Sequence, residues 1–219
     1  MKKIILSLLV LSVNLHAFAV SGLTIPNSHQ VDRHGNIFRG REPKQLVDEL
    51  AHIGITDVIL FKNQVKDEVN QELQDLRRLG IRGHHIPFRW KEYPSMEEAC
   101  VQVVDALNII TAVKRVNGKV FFHCTAGEDR TGMLAGLYRM LEERLHPQAA
   151  FAYEMCGRGY GDGNANKPYT VTSAIQKELT PLFVALTAKV MSGEWQLGRI
   201  SRNSCRGIRV QPTNLRCRR

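Results

Sequence analysis

The sequence predicts a single-domain α/β fold, with a mainly parallel central sheet flanked by helices on both faces. Two continuous apolar runs, Asp57-Val-Ile-Leu-Phe61 and Lys119-Val-Phe-Phe122, have the length and composition of strands buried on both faces. Stretches between and after them carry apolar residues at helical spacing. Strand-like segments that alternate with helix-like ones imply parallel strands joined by crossovers.

Taken in order, residues 36–40 form a short extended segment. Leu46, Val47, Leu50 and Ala51 then recur at helical spacing and end near Gly54. After the strand at 57–61, Val69, Leu73, Leu76 and Leu79 share one helical face, and Gly80 stops the helix. Residues 81–87 read as the next strand. Ser95 and Glu98 make a capping box for a long helix carrying Ala99, Val103, Leu107, Ile110 and Val113. Asn117-Gly118 turns the chain into the strand at 119–122. A helix over 129–145 follows, with two more near 147–155 and 172–189. No internal repeat or low-complexity stretch interrupts this order.

The composition, 43% hydrophobic and 23% charged over 219 residues, excludes a disordered chain, a collagen-like fibre and a polytopic membrane protein. The net charge of +9 is unevenly placed. Residues 1–19 read as a secretory signal peptide, with Lys2 and Lys3, an apolar run from Ile4 to Val13, and Ala17-Phe18-Ala19 as a cleavage site. That run is about half of the ~20 residues a membrane-spanning helix needs. Cleavage after Ala19 implies a periplasmic or secreted protein and leaves a charge of +7. Seven arginines and no acid lie in residues 198–219, so the domain at 20–197 is neutral and the basicity belongs to the tail. Such a tail suits an anionic surface. It carries no interleaved aromatics for base stacking, so nucleic acid is not an expected partner.

Five cysteines occur, an odd number. In an exported protein that implies one free thiol beside two bridges. Cys205 with Cys217 would close the tail into a loop and leave Cys100 with Cys156, although sequence alone leaves the connectivity open. Cys124 is the natural free thiol. Without a CxxC pair or HExxH, and with scattered histidines, neither a metal nor another cofactor is expected.

The segment Val120-Phe-Phe-His-Cys-Thr-Ala-Gly-Glu-Asp-Arg-Thr-Gly132 runs from a buried strand through a glycine-containing loop into a helix N-terminus. Backbone N–H groups and the helix dipole converge there, which makes an anion site. In that field a cysteine pKa falls from ~8.5 toward ~3.5–7.5. Arg130 supplies a planar fork for phosphate oxygens, and Gly127 permits a tight turn.

His-Cys, five residues, then Arg-Thr is the arrangement of His123, Cys124, Arg130 and Thr131. With Gly127 and Gly132 it resembles the signature of the cysteine-dependent protein tyrosine phosphatase superfamily. Ile37-Phe-Arg-Gly-Arg-Glu-Pro43 is similar to the segment before the first helix in its dual-specificity and phytase-like branches, and the likeness extends over roughly residues 35–190. The resemblance implies a phosphomonoester hydrolase with Cys124 as nucleophile and a phosphocysteine intermediate. The Arg130 side chain and the amides of Thr125, Ala126, Gly127, Glu128, Asp129 and Arg130 would hold the phosphoryl oxygens. Thr131 would stabilise the thiolate, and His123 would order the loop.

The general acid has two candidates. The family's acid is usually an aspartate on a mobile loop before the cysteine. Here that window holds Glu92, 32 residues before Cys124, and no aspartate. Asp129 is the alternative, because its Asp-Arg-Thr setting resembles those of myotubularins, Sac-type phosphatases and some bacterial lipid phosphatases. That setting also points to inositol phosphates or phosphoinositides as substrates. Arg89 and Lys91, with Arg39 and Arg41, would suit a substrate bearing several phosphates. Glu128, placed where phosphoinositide phosphatases often carry lysine, would repel a second phosphate and argues against a lipid substrate. Phosphoproteins are the alternative substrate. A phosphate-binding module lacking a working acid is the alternative from another class, and rhodanese-like sulfur transfer fits the loop less well.

Overall fold

The computed structural model of the chain describes residues 22–89, 95–162 and 164–217. The expected signal peptide, Lys91 and Glu92 lie outside them. Five strands form one sheet in the order β1-β2-β5-β3-β4: β1 (His29–Gln30), β2 (Ile37–Arg41), β3 (Asp57–Phe61), β4 (Arg82–Ile86) and β5 (Val120–Cys124). The two-residue β1 is antiparallel to β2, and every other pairing is parallel. β1 is too short to carry a sequence periodicity, which is why no pattern announces it.

Alternation along the strands separates two cores. Phe38, Val58, Leu60 and Phe121 pack on one face beneath α1 (Val47–His52) and α2 (Glu68–Arg78). Ile37, Ile59, Phe61, Val120 and Phe122 face the other core, under α3 (Met96–Arg115), α4 (Asp129–Glu143) and α7 (Thr180–Met191). Burial on both faces is what made 57–61 and 119–122 read as unbroken apolar runs. Of the expected capping box, the Ser95 half is formed at α3, where Glu98 N donates to Ser95 Oγ at 3.0 Å, while Glu98 Oε1 accepts from Gln102. α5 (Pro147–Ala150) continues as a π-helical turn over Phe151–Met155, and α6 (Tyr169–Ala174) runs through a second one, Ile175–Leu179, into α7.

The cysteine pairing differs from the expected one. Cys100 bonds to Cys205 and Cys156 to Cys217, while Cys124 is free. The correction follows from burial. Trp195, Ile200 and Cys205 are sunk in the core on the α3 side, so Cys205 arrives at Cys100 rather than at its sequence neighbour. Polar ties follow the same path. Asn108 Nδ2 donates to Ile200 O at 3.0 Å, and Arg202 makes a two-point contact with Asp105 at 2.6 and 3.0 Å. The basic tail is therefore stitched along the domain at two points.

Closing 105 residues of separation removes much of the unfolded chain's freedom. Replacing Cys100 and Cys205 with alanine is expected to lower the unfolding free energy by roughly 2–4 kcal/mol in denaturant titrations. Non-reducing peptide mapping should recover Cys100–Cys205 and Cys156–Cys217, and a Cys205–Cys217 peptide would overturn this connectivity.

Candidate active site

β5 is the central strand, and its carboxyl end delivers Cys124 between the ends of β2 and β3. Glu42 N, just past β2, donates to Cys124 O at 3.1 Å. Just past β3, the buried ammonium of Lys62 pairs with the Glu42 carboxylate. Open parallel sheets bind ligands at such a crevice outside the strand ends.

Cys124 is 3% exposed. Its amide donates to Thr131 Oγ1 at 2.8 Å, across the whole loop, so the first turn of α4 faces the sulfur. Burial pushes the Cys124 thiol up, but the Arg130 charge and hydrogen bonds from Thr131 outweigh it and bring the pKa to about 7. Asp129 works in the opposite direction, disfavouring the thiolate. Arg130 is itself buried, with Nη1 donating to Phe88 O at 3.1 Å and Nη2 to Thr125 Oγ1 at 3.3 Å. Phe88 stacks on Phe61, with ring centroids 4.3 Å apart, which anchors that carbonyl just beyond β4.

The loop keeps its shape because Gly127 sits at φ +71°. A Cβ there would lie 2.5 Å from Arg41 N and closer still to the Gly40 carbonyl, so only glycine lets the loop lie against β2. Gly127 O accepts from Arg39 Nη2 and from Asn27 Nδ2, both at 2.8 Å. Arg39 is wholly buried, and its Nη1 reaches Glu154 O at 2.6 Å and Glu154 Oε2 at 3.1 Å. Burial pushes the Glu154 carboxyl up, but the hydrogen bond from His29 and the charges of Arg39 and Arg139 hold it at about 2. Arg39 thus supports the loop from behind, which corrects its expected place among the substrate's basic contacts.

His123 is buried too. Nδ1 lies 3.3 Å from Cys124 O and Nε2 2.8 Å from Glu72 Oε1. Burial pulls the imidazole pKa down, but the Glu72 carboxylate outweighs it and the net direction is up. Of the other sequence-predicted residues, Thr125 is exposed, Ala126 and Glu128 are half-buried and Gly127 is buried. Arg89 is exposed and directly follows Phe88, the partner of Arg130. Lys91 and Glu92 fall outside the described residues.

Lys167 is the residue that sequence reasoning missed. Nζ lies 2.6 Å from Asp129 Oδ2 and 2.7 Å from Glu128 Oε2, and Asp129 Oδ1 accepts from Gly161 N at 2.7 Å. Asp129 therefore spends both oxygens on the segment after Arg158, and Glu128 is compensated rather than bare. Neither spacing nor composition links position 167 to 128 and 129.

A buried thiol of lowered pKa at a strand end, a glycine-containing loop into a helix N-terminus and a buried guanidinium folded over that loop are the site of a cysteine-dependent phosphatase, a phosphoric monoester hydrolase. The chain belongs to the tyrosine phosphatase family, whose model matches residues 20–144. Tk-PTP, in a glycine-to-alanine mutant form, superposes with a TM-score of 0.57 over 75% of this chain and 97% of that one, at 21% identity. TpbA of P. aeruginosa gives 0.51 over 74% and 91%, at 22% identity. The core catalytic domain of SIW14 from S. cerevisiae, a PP-IP phosphatase in complex with citrate, gives 0.52 over 77% and 95%, at 19% identity. These likenesses concern the fold. No curated protein matches the chain in sequence.

Cys124 is the free thiol beside two disulfides, so its alkylation rate by iodoacetamide reads its ionisation directly. The rate should rise with pH through a midpoint near 7, as the thiolate fraction grows. A midpoint at the ordinary value of about 8.5 would refute this electrostatic account.

Proposed function

We propose that the protein is an exported phosphomonoester hydrolase that works through a phosphocysteine on Cys124 and acts on inositol phosphates or phosphoinositides. The observation carrying the chemistry is the Cys124 thiol, held at about 7 opposite Arg130 and Thr131. The thiolate attacks phosphorus, a P–S bond forms and the ester P–O bond breaks. The departing alkoxide takes a proton from the general acid. Water then attacks phosphorus, sulfur leaves as thiolate, and the proton returns to the same carboxylate. Arg130 and the loop amides hold the equatorial oxygens in both steps. Thr131 stabilises the departing thiolate, and His123 orders the loop.

Glu92 is the favoured acid. Asp129 would have to carry its proton on an oxygen that already accepts from Gly161 N or contacts Lys167, and protonation would give up that partner. The substrate class draws support from Lys167, whose ammonium offsets Glu128 and lifts the objection to a second phosphate. Exposed Arg89 and Arg41 flank the site, and SIW14, an inositol pyrophosphate phosphatase, shares the fold. A protein tyrosine phosphatase is the second reading, favoured by the family description.

Export, with cleavage after Ala19 and a periplasmic or secreted mature protein, draws support from the two disulfides, which persist in oxidising compartments. Exposed arginines of the tail, among them Arg199, Arg206 and Arg209, would suit an anionic surface.

Phosphate release should be measured on phytate, phosphoinositides, phosphotyrosine peptides and an aryl phosphate. Cys124→Ser should abolish release from all of them while leaving the fold intact. Arg130→Lys should lose most activity, because a point charge cannot replace the fork. Release from inositol substrates well above the rest supports the proposal; release from peptides and aryl phosphate alone moves it to a protein phosphatase. No release from any substrate leaves a phosphate-binding module.

With a poor leaving group, Glu92→Gln should slow turnover by roughly 10²–10⁴-fold, the usual contribution of general acid catalysis. Asp129→Asn should cost much less. The reverse order would assign the acid to Asp129.

A further inference from the structure

The N-terminus of α4 carries two adjacent acids, Glu128 at the cap and Asp129 in the first turn, directly before Arg130. Left alone, they would oppose both thiolate formation at Cys124 and the approach of a phosphate dianion. Lys167 lies across both carboxylates, with its side chain 14% exposed. The fit is built from several directions. Gly161 donates its amide to Asp129, and its Cα packs closely against the Lys167 stem, since a Cβ there would lie 3.1 Å from Lys167 Cδ. Lys167 N donates to Asn164 O at 3.1 Å, closing the turn that delivers the side chain. Asp162 accepts from Gln176 Nε2 at 2.7 Å and from Cys217 N at 3.0 Å, which ties this segment to α7's lead-in helix and to the tail.

We infer that Lys167 is a positioning residue for the phosphate loop, offsetting part of the Glu128–Asp129 charge beside Arg130 so that the loop accepts a phosphate dianion. The inference rests on the phosphatase reading for its consequence in turnover, while its electrostatic part is readable without any substrate. The charged groups facing Cys124 are Arg130 and Asp129 from α4, Arg39 from β2 and His123 beside it on β5. Arg130 favours the thiolate and Asp129 opposes it. Lys167 acts on this balance through Asp129. Without Lys167, the unscreened carboxylates disfavour both the thiolate and the incoming dianion.

The test uses the mature, disulfide-intact protein and two readouts: the pH midpoint of Cys124 alkylation and KM for an aryl phosphate. Lys167→Met should raise the midpoint by about 0.5–1 unit. It should also raise KM roughly fivefold, with a smaller change in kcat. Lys167→Arg should restore both. Adding Asp129→Asn to Lys167→Met should bring the midpoint back down, because the opposing charge has gone. Should Lys167→Met melt early, Lys167→Gln is read in its place and must raise the midpoint in the same way. An unchanged midpoint in a Lys167 variant that melts like wild type overturns the inference. Should the variants show these midpoint shifts while the wild-type protein releases no phosphate, the phosphatase reading alone would fall.

Discussion

The site depends on one buried guanidinium. Arg39 reaches from β2 to the carbonyl of Gly127 and, on its other side, to the backbone and carboxylate of Glu154. Without that support the carbonyl at the tightest point of the loop would keep Asn27 as its side-chain partner and lose the buried charge behind it. Removing one member of a buried ion pair commonly costs about 3–5 kcal/mol, because the other charge is left stranded. Here Glu154, behind the nucleophile, would be left with Arg139 and His29 alone. His29 and Arg139 complete the satisfaction of Glu154, so the network joins β1, β2, α4 and the π-helical turn at one carboxylate.

Charge balance in front of the loop follows a different logic from that behind it. Behind, the groups are buried and mutually satisfied, and they specify geometry. In front, Arg130 must keep its fork free enough for a ligand. It is held only by two hydrogen bonds of 3.1 and 3.3 Å, to a carbonyl and a hydroxyl that phosphate oxygens can outcompete. Glu128 and Asp129 then need a counter-charge from outside the loop, and the segment after Arg158 supplies it. The thiol at about 7 is the net outcome of burial opposed by Arg130 and Thr131.

How much of this was legible in the sequence depends on how far apart the partners lie. The phosphate loop is contiguous, so the order of His123, Cys124, Gly127, Arg130 and Thr131 displays its chemistry directly. The buried strands were legible because both faces are covered, and α3 because Ser95 and Glu98 are near neighbours. Arg39 was misjudged as a substrate contact: a buried arginine and a solvent-facing one look alike until Glu154, 115 residues away, is placed beside it. Lys167 was invisible for the same reason, standing 38 residues from Asp129 with no periodicity to connect them. The bridges were misjudged because nearness in sequence favours Cys205 with Cys217, whereas burial of Trp195 and Ile200 carries Cys205 to α3.

The tail joins these threads. Its arginines drew attention as a charge run, yet its structural weight lies in its cysteines. Cys205 pins it to α3 in the core, and Cys217 pins it to Cys156, which immediately follows the turn bearing Glu154. Beyond Cys156 the chain passes Gly161 and Asp162 and reaches Lys167, and the amide of Cys217 is itself held by Asp162. One covalent link therefore lies between the carboxylate that anchors the loop from behind and the ammonium that balances it in front. A segment lacking regular secondary structure gains its order from such ties rather than from its own backbone ladder. The Cys156–Cys217 bridge belongs to the support of the site as much as to the stability of the fold.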